Sequence, residues 1–280
     1  MLNNVSFKFG VGSERLTFKP ELMTILVGAN NSGKSRALNE IYVHLNTGYS
    51  DLRIIDKIEV RGLTEEEIGK LLASGMREVS ISSQPWKRQD LHEPSPVDRT
   101  PMAMVFNPIA GKMVGRELEA MQRMLGSNGL TDEKCSIICH LALRLGGLER
   151  LTLTSPKPVS NLQEHPTSML MALFQDEEVR NRLRNLIFDT FGFYITVDAT
   201  DMKHFRLRMS GRPPHDSSEE CALDRRAVEF HREGVEYEQA SDGVKAFTGL
   251  MAAVLCAGYK VMLIDEPEAF LHPPLVRIEN

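Results

Sequence analysis

Gly28-Ala29-Asn30-Asn31-Ser32-Gly33-Lys34-Ser35 follows an apolar run, Met23 to Val27, and opens a helical pattern in which Leu38, Ile41, Tyr42 and Leu45 share one face. Strand, glycine-rich loop and helix in that order form the context of a phosphate-binding P-loop. Gly28 and Gly33 allow the tight turns that aim successive backbone N–H groups at an anion. The N-terminus of the following helix adds a partial positive charge at the same point. Lys34 would reach the β- and γ-phosphates, and the Ser35 hydroxyl would ligate Mg²⁺.

Far downstream, Lys260-Val261-Met262-Leu263-Ile264-Asp265-Glu266 reads as a near-continuously apolar strand ending in two carboxylates. A parallel strand covered on both faces has this pattern. The carboxyl end of such a strand is where an open α/β sheet places ligands. Asp265 suits Mg²⁺, directly or through water, because Mg²⁺ takes hard oxygen ligands and keeps several waters. Glu266 suits general-base or water-positioning work at the γ-phosphate. Alone, such a strand end is commonplace; beside a P-loop it predicts a chain that binds ATP.

The 280 residues allow one large domain or two ordinary ones, and 42% hydrophobic with 25% charged residues suffices for a buried core. A formal charge of −5 supplies no overall attraction to nucleic acid. The basic clusters Lys203 to Arg208 and Arg225-Arg226 read as the solvated faces of a strand and a helix. Cys135, Cys139, Cys221 and Cys256 fit reduced, buried thiols, and Cys135, Cys139 and His140 lack the second ligand pair of a metal site. The N-terminus carries no apolar signal core and no stretch approaches transmembrane length. The expectation is a cytoplasmic protein with no membrane partner.

Short strands are expected before the loop, where Val5, Phe7 and Phe9 alternate, as do Leu16 and Phe18, with Met23–Val27 as a core strand. The P-loop helix should end at Thr47-Gly48. Lys57 to Arg61 reads as a strand, and Thr64 with Glu67 as a capping box for a helix that stops at Gly75. Val79 to Ser83 reads as a strand and Gln84 to Pro101, with Trp86, as a loop. Helices are expected over 116–125, from the Thr131 cap to Gly146, and over 168–190, then strands over 194–197 and 205–209 and a polar loop over 211–220. The last helix begins at Ser241-Asp242-Gly243 and runs to Gly258. About 230 residues part the two motifs, more than a compact nucleotide fold needs. The reading is therefore α/β: a P-loop NTPase, with an N-terminal antiparallel β element, a core from 1–48 and 234–280, and an inserted mixed helical and strand lobe over 49–233.

The loop Gly28 to Ser35 resembles the G-x-N-N-S-G-K-S loop of ABC-type ATPases in the SMC, RecF and OLD (overcoming lysogenization defect) group. Asp265-Glu266-Pro267-Glu268-Ala269-Phe270-Leu271-His272-Pro273 is similar to the D-E-P-E-x-x-L-H-P run of the OLD-like branch. Ser241-Asp242-Gly243 sits where that group carries its signature motif. The resemblance implies an ABC-ATPase-like head that forms a head-to-tail homodimer around two ATP molecules with Mg²⁺. Gly28 to Ser35 of one copy would hold the phosphates, and Ser241 and Gly243 of the other would cap them. Glu266 would polarise water, and His272 in the D-loop would lie near the second copy's site. A Q-loop glutamine is also implied, with Gln163 preferred over Gln84. Asp242 departs from the commoner Ser-Gly-Gly, and a carboxylate beside a γ-phosphate repels it unless turned away.

A larger departure is the C-terminal end. The chain stops at Asn280, inside the helix expected after Pro273-Pro274, whereas family members continue with another core strand and the switch histidine. Many OLD-like proteins then add a TOPRIM nuclease domain. Either a fragment or a curtailed ATPase needing an effector partner is expected, with no nuclease activity of its own and nucleic-acid binding open. Three readings follow: an ATP-hydrolysing gating head, a nucleotide-dependent binding module with little turnover, and a small-molecule kinase. The kinase gives no reason for Leu271-His272-Pro273.

Overall fold

The computed structural model describes residues 1–11, 14–29, 31–49, 51–73, 102–107, 112–256 and 259–270. The chain separates into two compact units, Met1–Phe106 with Met113–Ala142, and Asn107–Lys112 with Leu143–Asn280. Helices and sheets alternate throughout, so the fold is mixed α/β.

In the first unit, β1 (Leu2–Val11) pairs antiparallel with both β2 (Glu14–Phe18) and β3 (Ile55–Val60). Alternation decides which side chains enter the core: Val5 and Phe7 are buried, and Val5 stands opposite Phe18 on one side and Ile58 on the other. Helix α1 (Lys34–Thr47) buries Ala37, Glu40, Ile41 and Leu45, a stripe of helical period. It ends as expected at Gly48, whose φ of 71° is a left-handed cap and whose N–H reaches the His44 carbonyl. The Thr64–Glu67 capping box forms at the start of α2 (Glu65–Ala73), with Glu67 N–H donating to Thr64 Oγ1 at 3.2 Å and Thr64 N–H to Glu67 at 2.8 Å. Strands β4 (Met102–Asn107) and β5 (Lys112–Glu117) pair with each other, and α3 (Leu118–Gly126) and α4 (Asp132–Ile138) follow.

The second unit begins with β6 (Ala142–Leu145), α5 (Gly147–Leu153) and the short β7 (Lys157–Pro158). Helices α6 (Met169–Gln175) and α7 (Glu177–Phe191) lead to β8 (Tyr194–Asp198) and β9 (His204–Ser210), an antiparallel pair in which Asp198 opposes Arg206. Next come α8 (Ser217–Cys221), α9 (Arg225–Glu233), β10 (Val235–Glu236), a short 3₁₀ turn, α10 (Asp242–Cys256) and β11 (Val261–Ile264), which pairs with β6. The core unites Leu143, Leu145, Leu170, Ile187, Val197, Phe205, Phe247 and Leu250, so α10 packs its apolar length inside it.

Several expectations are corrected. Met23–Val27 is not a strand: no described residue pairs with it, and Met23 and Val27 are 72% and 87% exposed. Apolar composition reports what a segment would bury, whereas a strand exists only through ladder bonds to a neighbour. The helix capped by Thr131 ends at Ile138 instead of Gly146, because Ala142–Leu145 pairs with β11 and burial on both sides erases any period. The helix over 168–190 is two helices, broken at Asp176, whose carboxylate accepts the Val179 N–H at 3.0 Å and so caps the second one. The loop over 211–220 contains most of α8. Gly75, Val79 to Ser83, Gln84 and Trp86 lie outside the described residues.

Candidate nucleotide site

The Gly28–Ser35 loop enters α1 with two residues in the left-handed region, Asn31 (φ 61°) and Gly33 (φ 92°). Gly33 has a second constraint, since a Cβ there would lie 2.6 Å from Ile54 Cδ1. A Cβ on Gly28 would lie 2.7 Å from Ser32 Oγ. Gly33 is required by its left-handed backbone, whereas the atoms that a Cβ would meet at Gly28 and Gly33 are the ends of side chains that can turn aside. Ser32 N–H closes the turn on the Ala29 carbonyl at 3.1 Å. The Lys34 ammonium folds back onto the carbonyls of Gly28 (2.7 Å) and Ala29 (3.0 Å), so the loop is wound around its charge. Gly33 offers no side-chain cap to α1, so the first-turn N–H groups of the helix face a loop that already carries a cation. Helix-start N–H groups beside a cation are the elements from which anion cradles are built. Ser35, one residue into the helix, is exposed beside it; Asn30 lies outside the described residues.

Behind the loop, Glu40 is 2% exposed on the buried face of α1. Its carboxylate accepts the N–H groups of Arg53, Ile54 and Ile55 at 3.0–3.3 Å and Arg36 Nε at 3.0 Å. Burial alone would push its carboxyl up, but these bonds, led by Ile55 and Arg36, outweigh it and hold Glu40 below the usual glutamate value. The residue that crowds Gly33 is therefore pinned by a carboxylate from the helix that the loop begins.

The second set of expected residues lies in the other unit. Asp265 follows the end of β11, buried, with its N–H on the Leu145 carbonyl at 2.8 Å and its Oδ2 3.3 Å from Arg144 Nη2. Glu266 has φ 49° and is exposed, held in a turn closed by Ala269 N–H on its carbonyl at 2.9 Å. Arg150, with no exposed surface, donates to the carbonyls of Glu266 (2.5 Å), Pro267 (2.7 Å) and Gly146 (3.3 Å). Ser241 caps α10, its carbonyl accepting Lys245 N–H at 3.0 Å and its Oγ accepting Val244 N–H at 3.4 Å. Gly243 abuts the same acidic turn: a Cβ there would lie 2.6 Å from the Phe270 carbonyl oxygen. Ser241-Asp242-Gly243 and Asp265–Phe270 are thereby brought together. Gln163 sits in an exposed turn, its N–H on Asn161 Oδ1 at 3.0 Å. His272 lies outside the described residues.

Sequence reasoning missed three residues: Glu40, Arg144 and Arg150. Glu40 had a signal, a carboxylate one residue before Ile41 within the buried stripe. Arg144 and Arg150 had none, since each is an isolated arginine in an ordinary helical or strand run.

The donors fit the chemistry of a nucleotide with Mg²⁺. Ser35 in the first unit and Asp265 in the second are each hard oxygen donors of the kind Mg²⁺ takes, and Gly33 brings no side chain to the start of α1. Among the described residues no cluster of three or more His, Cys, Asp or Glu could hold a metal ion. No helix among the described residues is long and apolar enough to cross a membrane.

No curated protein and no solved structure matches the chain. Residues 174–278, which take in Ser241, Gly243, Asp265 and Glu266 and begin well after Lys34, match the family model described as "AAA domain, putative AbiEii toxin, Type IV TA system", so this part of the chain is similar to an AAA-type ATPase domain.

Proposed function

We propose that this chain is an ATP-binding and hydrolysing head of the OLD/RecF-like kind, in which ATP-dependent dimerisation controls an activity carried by an effector partner. The observation that carries this reading is the winding of Gly28–Ser35 around the Lys34 ammonium at the start of α1. The AAA-type match over the acidic strand end supports it. Gly28 to Gly33 would present backbone N–H groups to the phosphates, including that of Asn30, and Lys34 would neutralise charge developing on the γ-phosphate. Ser35 and Asp265 would hold Mg²⁺, which would supply neutralisation of phosphate charge. Glu266 would orient and deprotonate the attacking water. In the dimer, Ser241 and Gly243 of a second copy would close over the γ-phosphate, with Gln163 and His272 at the edges of the site. The core in this reading comprises 1–48 and 234–280, with 49–233 inserted. The matched family's description names a toxin of a toxin–antitoxin system, which favours a defence role over DNA repair. A nucleic-acid partner, cytoplasmic location and an associated nuclease belong to the same proposal.

One observation favours a second reading, a nucleotide-dependent binding module with little turnover. Arg144 already pairs with Asp265, and a carboxylate engaged by a guanidinium is a weaker Mg²⁺ ligand.

Sedimentation of Glu266→Gln with and without ATP and Mg²⁺, with Lys34→Ala as control, tests both. An ATP-dependent dimer that Lys34→Ala abolishes supports the gating head. ATP binding without dimerisation supports the binding module, and no ATP binding overturns both.

A further inference from the structure

A cleft of about 220 Å³ in the second unit is lined by Thr200, Asp201, Arg206, Arg208, His231 and Arg232, none of them part of the nucleotide reading. Arg206 and Arg208 are two residues apart on β9 and therefore share a face. Between them lies Asp198, with no exposed surface, whose Oδ2 accepts Nε of Arg206 at 2.9 Å and Nε of Arg208 at 2.7 Å. Its Oδ1 accepts the N–H and the hydroxyl of Thr200 at 2.8 and 2.6 Å. Burial would push this carboxyl up, but the bonds from Thr200 and Arg208 outweigh it and hold it below the usual carboxylate range.

The arrangement fixes two guanidiniums through their Nε atoms. The terminal nitrogens of Arg208 make no hydrogen bond with a described residue, and those of Arg206 meet Asp201 only at 3.8 Å. The Asp201 carboxylate is itself engaged by the N–H groups of Lys203 and His204, both at 2.8 Å. From α9, exposed Arg232 makes no hydrogen bond or ion pair with a described residue. His231 is 2% exposed; its Nε2 bonds the Glu220 carbonyl at 2.8 Å and its Nδ1 has no hydrogen-bond partner. Three guanidiniums therefore meet two carboxylates, both already engaged, in a cleft whose two central cations are oriented in advance.

We propose that this cleft binds the phosphate group of a compact phosphorylated ligand, through the terminal nitrogens of Arg206 and Arg208 with Arg232 at its rim. Arginine forks match phosphate oxygens in pairs. The small volume and the chain's charge of −5 favour a compact anion over a polyanionic strand. The proposal is independent of the nucleotide site, because no residue is shared with it.

The test is calorimetric titration of inorganic pyrophosphate into the full chain carrying Lys34→Ala, which removes the cation of the other phosphate-binding loop. Saturable binding is expected, weakened about tenfold by Arg232→Met and lost in Arg208→Met. Arg208→Met strips a partner from buried Asp198 and can unfold the unit; Arg232→Met, on an exposed and unpaired side chain, keeps the question answerable. No binding in the Lys34→Ala chain overturns the proposal, as does binding unchanged by Arg232→Met. A single-stranded oligonucleotide that binds through these arginines where pyrophosphate does not also overturns it. ATP binding lost in Lys34→Ala while pyrophosphate still binds at the cleft separates the two sites.

Discussion

Arg150 donates from Nη2 to the carbonyl of Glu266 across 116 positions of chain, with no part of the arginine exposed. A buried guanidinium is tolerated only when its donors are used, and here they reach two main-chain carbonyls of the acidic turn and that of Gly146. Arg150 therefore holds the backbone that carries Glu266 and leaves the carboxylate itself exposed.

Replacing Arg150 by Met should destabilise the chain by about 3 kcal/mol, since three carbonyls lose a charged donor. Arg150→Lys keeps the charge but loses the planar fork, and should cost about half as much. Urea denaturation midpoints measure both, and equal stability of Arg150→Met and the native chain would contradict the clamp.

Two glycines in helices should respond in opposite directions to alanine. A Cβ on Gly249 would lie 2.2 Å from the Arg150 carbonyl oxygen, so α10 cannot keep its distance from α5, and Gly249→Ala should cost at least about 2 kcal/mol. Gly69 in α2 has nothing within 4 Å of the corresponding position. Gly69→Ala should stabilise by about 0.5–1 kcal/mol through helix propensity alone. Thermal unfolding of the pair reads the difference.

Acid stability should depend on Glu219. The Arg212 guanidinium, bonded to both carboxylate oxygens at 3.0 and 3.1 Å, holds its carboxyl at about 2 against burial, with the His215 N–H assisting. A folded value below the unfolded one means that the contribution is complete above about pH 4.5 and is lost as pH falls toward 2. Glu219→Gln should therefore be less stable at pH 6 yet lose less between pH 6 and pH 3 than the native chain. Urea midpoints at the two values decide it.

Arg144 competes for the carboxylate assigned here to Mg²⁺. If Asp265 serves that role, Arg144→Gln should lower the Mg²⁺ concentration giving half-maximal ATP turnover by about threefold, in keeping with loss of one weak ion pair. An unchanged or raised Mg²⁺ requirement would remove Arg144 from the metal's surroundings.

Local signals carried much of the fold. Gly48, the Thr64–Glu67 box and the alternation at Val5 and Phe7 each act through neighbours within a few residues, and each appears where the pattern predicts. Failures came where pairing at long range decides. Ala142 to Leu145 continues the apolar run read as helix from Thr131 but pairs with β11, and Met23–Val27 is apolar without a strand partner among the described residues. The glycine loop was legible because its requirements are steric and local. Arg150 was not, because its function lies in three carbonyls, two of them more than a hundred residues away.

Asp176 ends α6 with its N–H on the Ala172 carbonyl and starts α7 with its carboxylate, so one residue joins the two helices. Such a joint fixes the rotational phase of α7 about its own axis. One extra residue at this point would turn α7 by about 100° relative to its cap, carrying Arg180 and Arg184 off the Glu220 carboxylate that both now reach. Chain length here is thus under tighter control than residue identity. Length variation among relatives should avoid this joint, and for the same reason the start of α8, where the Asp216 carboxylate accepts the Glu219 N–H at 2.8 Å.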